Sequence, residues 1–126
     1  MTDPFDINPE AMAVYRATAR RRQQAEQEAL AAREQRAWEL ARQAADALRQ
    51  QFAVSKVVVF GSLVHPGSFT PWSDVDIAAW GLQPHETFRA IGVAMDISAE
   101  IPINLVDMGA CRASIREVIE REGIPV

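Results

Sequence analysis

Two short segments decide the fold of this chain: Val57-Val-Val-Phe-Gly-Ser62 and, after a loop, Trp72-Ser-Asp-Val-Asp-Ile-Ala78. The first is an apolar run that ends in Gly-Ser, which predicts a buried strand followed directly by a turn. The second predicts a strand that begins with two carboxylates. Side chains two residues apart in a strand share a face, about 6.6 Å apart along the chain, so we expect Asp74 and Asp76 to point the same way.

These two motifs suit a metal ion and a phosphate. Like charges on one face raise each other's proton affinity unless a cation lies between them, so the Asp pair favours a divalent ion such as Mg2+. Backbone N–H groups at the turn, together with the Ser62 hydroxyl, form a small anion site. Taken separately, a solvated turn and a plain strand end are the competing interpretations. Taken together, the motifs predict a site for a metal-bound nucleotide.

A long helix precedes these strands. From Pro9 to Phe52 there is no Gly and no further Pro, and the composition is rich in strong helix formers. Apolar residues in its second half recur at helical spacing and predict a face that covers a sheet, namely Leu30, Ala37, Ala41, Ala45, Leu48 and Phe52. The first half is too polar to bury alone, so it must project, fold back or find a partner.

The remaining elements follow from local patterns. Strands are predicted over residues 56–60, 74–80 and 101–106, and helices over residues 86–97 and 112–122. The resulting order is helix, strand, strand, helix, strand, helix.

Composition narrows the class of protein. The 126 residues are 48% apolar with a net charge of −4, and all of that negative excess lies after residue 52. An acidic second half argues against nucleic acid as a partner. No apolar stretch approaches the roughly 20 residues of a membrane span, and no secretory pattern opens the chain, so we expect a cytoplasmic protein. The single Cys111 predicts no internal disulfide.

The Gly-Ser, spacer, Asp-x-Asp pattern resembles the signature of the DNA polymerase beta nucleotidyltransferase superfamily, and most closely its minimal nucleotidyltransferase group. The similarity extends over about residues 40–126. It implies an α+β fold: a short mixed sheet with helices on one side, here preceded by a long N-terminal helix. We divide the chain into a helical extension, residues 1–34, and a nucleotidyltransferase domain, residues 35–126.

The resemblance also implies roles for individual residues. Gly61 and Ser62 hold the phosphates of the nucleotide, which is ATP or another NTP. Asp74 and Asp76 bind Mg2+ and are the catalytic carboxylates. A third carboxylate normally lies on the later strand, but the matching residue is Asn104. Asn104 offers a neutral oxygen and cannot take a proton, so activity is either weakened or sustained by another carboxylate such as Glu100.

Two functions are compatible with these residues. One is Mg2+-dependent transfer of a nucleoside monophosphate, AMP by preference, to a hydroxyl of a partner protein. Similar proteins pair with HEPN-domain proteins in toxin–antitoxin systems, which implies such a partner. The other is a catalytically impaired binding module or antitoxin that acts through its long helix. Self-association through that helix is compatible with both.

Other residues have two interpretations each. Trp72 and Trp80 flank the Asp pair, and we expect packing, with base stacking as the alternative. His65 either contacts a phosphate or is structural. The parity of Asp107 along its strand differs from that of Asn104, so we expect Asp107 to cap the next turn. The basic run of residues 20–22 is expected to be a solvated face.

Overall fold

The computed structural model describes residues 8–126. The elements in chain order are α1 (Pro9–Gln51), β1 (Lys56–Phe60), β2 (Val75–Trp80), α2 (Thr87–Met95), β3 (Ile103–Asp107), α3 (Ala113–Glu122) and β4 (Ile124–Pro125), with short 3-10 turns at Gly61–Val64 and Pro84–Glu86. The predicted helices and strands are confirmed, with ends that differ by no more than two residues. The two-residue β4 was not predicted.

The four strands form one mixed sheet in the order β3-β2-β1-β4. The central pair β1 and β2 is antiparallel, β3 runs parallel to β2, and β4 is antiparallel to β1. The predicted α+β class with a short mixed sheet behind a long N-terminal helix is therefore confirmed. This topology brings the end of β1 beside the starts of β2 and β3.

The main core lies between the sheet and two helices, α1 and α2. The sheet supplies alternate side chains, such as Val57, Val59 and Ile77, because every second residue of a strand faces the same side. The second half of α1 supplies the predicted stripe, and it also buries Leu40 and Ala44. Several of these helix residues are Ala, whose small side chain lets the helix axis approach the sheet closely.

The opposite face of the sheet carries a smaller cluster under α3. Val58 and Ala78, which alternate to that face, pack with Met108 and with Ile119 of α3. The predicted placement of helices on one side therefore describes α1 and α2, while α3 covers part of the other side. The chain turns at Gly123, and β4 then pairs with β1 at Val58 and Val59.

The first half of α1 has no sheet beneath it. The helix begins at Asn8, whose side chain accepts a hydrogen bond from the Glu10 N–H at 2.9 Å. At about 1.5 Å per residue, α1 is roughly 65 Å long. Apart from the half-buried Met12 and Ala17, every residue from 9 to 29 is exposed. This part of α1 therefore has its surface open to a partner.

The helix α1 continues without a break through residue 34, so the proposed domain division at that position stays a prediction.

None of the helices within residues 8–126 combines the length and apolar composition needed to cross a bilayer.

Candidate functional site

The predicted site residues meet where three neighbouring strands begin or end. The sheet register pairs Phe60, the last residue of β1, with Asp76 of β2, and it pairs Asp76 with Asn104 of β3. Adjacent strands lie about 4.8 Å apart, so these three positions form a row across the sheet. Asp74 immediately precedes β2 at the same edge.

Gly61 lies directly against one of the carboxylates. Its φ is +77°, a left-handed backbone conformation that side chains other than Gly rarely adopt. A Cβ built on Gly61 would be 2.5 Å from Oδ2 of Asp76. Both facts require glycine here, and the missing side chain lets the backbone of the turn approach the carboxylate.

Asn104 links the two carboxylates from the other side. Its Nδ2 donates to Oδ2 of Asp74 and to Oδ1 of Asp76, both at 3.3 Å. The two Asp side chains therefore point the same way, as predicted. Burial raises the pKa of Asp76 above its ordinary value, the hydrogen bond from Asn104 opposes this shift, and the charge of Asp74 adds to it.

The turn predicted to hold the phosphates follows β1 without a gap. Gly61 and Ser62 open the 3-10 turn Gly61–Val64, and both residues are half-buried. The carbonyl of Ser62 accepts the N–H of His65 at 3.2 Å, which closes the turn. The turn therefore places Ser62 next to the carboxylate pair, where its hydroxyl and the neighbouring N–H groups can bind phosphate oxygens.

The residues present fit a Mg2+ ion bound together with a nucleotide. Protein sites for Mg2+ commonly use one or two carboxylates and complete the coordination shell with water and substrate phosphates. Asp74 and Asp76 supply the two carboxylates. Within residues 8–126 no group of three or more His, Cys, Asp or Glu side chains is close enough to form a metal site. The amide oxygen of Asn104 can supply a third protein ligand by rotation of its side-chain amide.

Two other carboxylates considered from the sequence have structural partners. Glu100 lies 3.7 Å from the Arg36 side chain of α1 and does not join the Asp pair. The suggestion that it replaces the missing third carboxylate is therefore wrong in this structure. Asp107 is buried and accepts hydrogen bonds from the Thr87 hydroxyl at 2.7 Å and the Gly109 N–H at 2.9 Å. It caps the turn after β3, as predicted.

The aromatic residues and His65 divide between packing and exposure. The ring of His65 lies 2.9 Å from Glu122 of α3, which gives it a structural partner. Trp80 packs beneath α3 and carries the Lys56 ammonium 4.9 Å from its ring. Trp72 does not pack as expected, because 89% of it is exposed. Its loop is held by Arg33, whose Nη2 donates to the Ser73 carbonyl at 3.0 Å.

Arg33 is the residue near the site that sequence reasoning missed. It lies on α1, forty positions before Ser73, and no local pattern relates the two residues.

Comparison with known proteins agrees with this geometry. A family model described as a nucleotidyltransferase domain matches residues 41–121. No curated protein matches the chain. The match covers more than half of the chain and includes the Gly-Ser turn, both Asp residues and Asn104. The resemblance drawn from the sequence is thus confirmed, and the chain belongs to the nucleotidyltransferase domain family.

Proposed function

We propose that this protein transfers AMP from ATP, or the corresponding group from another NTP, to a hydroxyl on a partner protein in the cytoplasm. The observation that carries the proposal is the joined pair Asp74 and Asp76 beside the Gly61-Ser62 turn. Asp74 and Asp76 would hold Mg2+, which would neutralise phosphate charge and let the two carboxylates position the phosphates through the ion. Ser62 and the N–H groups of its turn would hold the phosphates directly.

The reaction exchanges one bond for another. The acceptor oxygen forms a bond to the α-phosphorus as the bond between that phosphorus and the bridging oxygen of pyrophosphate breaks. Pyrophosphate leaves with the bonding electron pair. The acceptor hydroxyl gives up a proton, which Asn104 cannot take because an amide is not a base at neutral pH. This proton passes to one of the two Asp carboxylates or to a group on the acceptor.

Two observations support a protein as the acceptor. Among residues 8–126, one sheet and three helices make up the fold, and no second domain among them covers the site. The exposed first half of α1 also offers a long surface for a macromolecule. The resemblance to minimal nucleotidyltransferases suggests an HEPN-type protein, as in toxin–antitoxin pairs.

The test has two steps. Calorimetric titration should detect ATP binding that depends on Mg2+, and Asp74→Asn should abolish that dependence. Label from α-phosphate-labelled ATP should then appear on an HEPN-domain protein with the native chain but not with Asp74→Asn. Asp46→Asn is the matched control, because Asp46 is exposed on α1 and pairs with Arg49 at the surface. Labelling that survives Asp74→Asn contradicts the proposal.

A second function is favoured by Asn104 itself. With two carboxylates and an amide, the site can retain the fold and nucleotide binding while chemistry is lost, and the protein then acts by binding its partner through α1. The two functions differ in one result. If the protein is a binding module, the native chain and Asp74→Asn bind the partner equally well, and neither transfers label to it.

A further inference from the structure

An almost fully exposed aromatic residue lies beside the proposed site. Trp72 is two residues before Asp74, and 89% of its surface is exposed. Large aromatic side chains usually bury most of their area, and an exposed indole is a common feature of binding surfaces. The other large exposed apolar side chains lie on α1, α2, α3 and β4, whereas the loop neighbours of Trp72 are mostly polar.

The loop that carries Trp72 is fixed at both ends. Phe69 is buried in the main core, and the Arg33 guanidinium lies 5.8 Å from the centre of its ring. At the other end, Arg33 also donates to the carbonyl of Ser73. The exposure of Trp72 therefore does not arise from a loop that has failed to pack.

Hydrogen bonds within the loop fix the backbone of Trp72 itself. The Thr70 N–H donates to Oγ of Ser73 at 2.9 Å, and the Ser73 N–H donates to the Thr70 carbonyl at 3.1 Å. The N–H of Trp72 donates to Oγ1 of Thr70 at 3.2 Å. This turn orders the backbone at Trp72, and because two residues span at most about 7 Å, its Cα lies within that distance of the Asp74 Cα.

We propose that Trp72 is the platform on which the base of the nucleotide stacks. This inference rests on the proposed function, because the phosphates must be held at Ser62 and the Asp pair for the base to reach Trp72. An indole presents a flat apolar face that stacks on any base, and such stacking is tolerant of base identity. Its entropic cost is low here, since the turn already orders the backbone.

The platform makes a specific prediction about ligands. A ligand with a base gains binding affinity from stacking on Trp72, whereas inorganic tripolyphosphate has no base and gains none. In the presence of Mg2+, Trp72→Ala should weaken ATP binding about 10-fold and leave tripolyphosphate binding unchanged. Trp72→Phe keeps an aromatic face and should stay within about 3-fold of the native affinity. Trp72→Ala should reduce the affinity for purine nucleotides more than the affinity for CTP, because purine rings offer more stacking area.

Fluorescence supplies a second readout that does not depend on activity. Stacking of a base on Trp72 should quench the native emission, and Trp72→Phe should lose the quench while still binding ATP by calorimetry. Trp38→Phe is the matched control, since Trp38 is half-buried on α1 and packs at the edge of the core. In this variant ATP should still quench the remaining tryptophan emission.

Each outcome decides the matter. If the native chain binds ATP and Trp72→Ala binds it equally well, the platform is wrong while the proposed function stands, and the indole is then free to contact a partner protein. If the native chain binds neither ATP nor tripolyphosphate, both the platform and the proposed function are wrong. Equal weakening of ATP and tripolyphosphate by Trp72→Ala shows a disturbed loop rather than a lost stack, and also overturns the inference.

Discussion

At the scale of single residues, Asn104 does two opposed things at the site. Its amide relieves the repulsion between Asp74 and Asp76 by donating to both. It also removes the negative charge that a third carboxylate would offer to a cation. The metal-free protein is therefore more stable, and its attraction for a divalent ion weaker, than with Asp at this position.

Restoring the carboxylate should reverse both effects. Asn104→Asp should bind Mg2+-ATP about 3- to 10-fold more tightly, because a third charge faces the ion, and should lower the stability of the metal-free protein by about 1 kcal/mol. Calorimetric titration measures the first change, and urea unfolding in chelator measures the second. Asn104→Ala is the control, since it loses the hydrogen bonds without adding charge. Unchanged Mg2+-ATP affinity in Asn104→Asp contradicts this account of Asn104.

The raised pKa of Asp76 predicts that this residue lowers the stability of the folded protein by an amount that depends on pH. A carboxyl whose pKa is higher in the folded than in the unfolded protein favours folding when protonated, and this contribution is lost as the pH rises from the ordinary value of 3.8 through the raised pKa. Asp76→Asn should therefore stabilise the metal-free protein at pH 7 by about 0.5 kcal/mol, a small gain because solvent screens a half-exposed group. Urea unfolding in chelator should show the gain shrinking toward acid pH. If the gain in stability were the same at all pH values, it would come from packing and not from the charge of Asp76.

The sequence was sufficient to predict the site where the residues are close along the chain or related by strand parity. Asp74 and Asp76 share a face because they are two residues apart, and Asn104 lies opposite Asp76 because of its place on β3. The long-range support was not predictable. Arg33 reaches Ser73 across the fold, and no local pattern indicates that Trp72, the residue before Ser73, is exposed.

At the scale of elements, the joint between α3 and β4 is tightly packed, while α2 has unused space. A Cβ on Gly123 would lie 2.6 Å from the Ile119 carbonyl oxygen and 2.8 Å from Cγ2 of Val58. A Cβ on Gly92, inside α2, would meet nothing within 4 Å. The first glycine therefore allows α3 and β4 to meet at the sheet, and the second serves no such purpose.

The two glycines should respond oppositely to the same substitution. Gly92→Ala should stabilise the protein by about 0.5–1 kcal/mol, because Ala is the better helix former. Gly123→Ala should destabilise it by more than 1 kcal/mol, because a backbone oxygen cannot move away cheaply. Thermal unfolding of both variants makes the comparison, and each is the control for the other. A shift of the same sign in both would contradict this view of the joint.

Elements were predictable to the extent that they are long enough to show a period. The second half of α1 has a clear apolar stripe, and β1 is a continuous apolar run bounded by turn residues. The strand β4 has two residues, too few for any periodicity, and it exists because the chain after Gly123 lies beside Val58 and Val59. The position of α3 on the second face depends on tertiary packing of Ile119, which its own sequence does not specify.

At the scale of the whole molecule, α1 combines a packed half with an exposed half. Along α1, Leu30 is the first apolar residue that packs against the core, and Ala37 is the first residue that is fully buried. The exposed half continues a helix that the packed half already nucleates, so it can remain helical without tertiary contacts of its own. Its surface is then available for a partner protein or for a second copy of the chain.

Removing the exposed half should therefore cost little stability. A chain that starts at residue 29 with Ala29→Asn, which supplies a new N-cap as Asn8 does, should unfold within about 1 kcal/mol of the full chain in urea. Leu40→Ala, in the packed half, should cost about 2–5 kcal/mol, because Leu40 is only 1% exposed. A truncated chain that loses as much as Leu40→Ala would show that residues 8–28 are buried in the protein in solution.

The same truncation tests self-association through α1. If two copies pair along their exposed halves, association stabilises the folded state by mass action, and the unfolding midpoint of the full chain rises with protein concentration. The truncated chain loses that surface, so its midpoint should stay constant over the same range. Sedimentation should give a monomer mass for the truncated chain and a larger mass for the full one. A full chain that sediments as a monomer at all concentrations would contradict self-association and leave the exposed half of α1 available to a different protein.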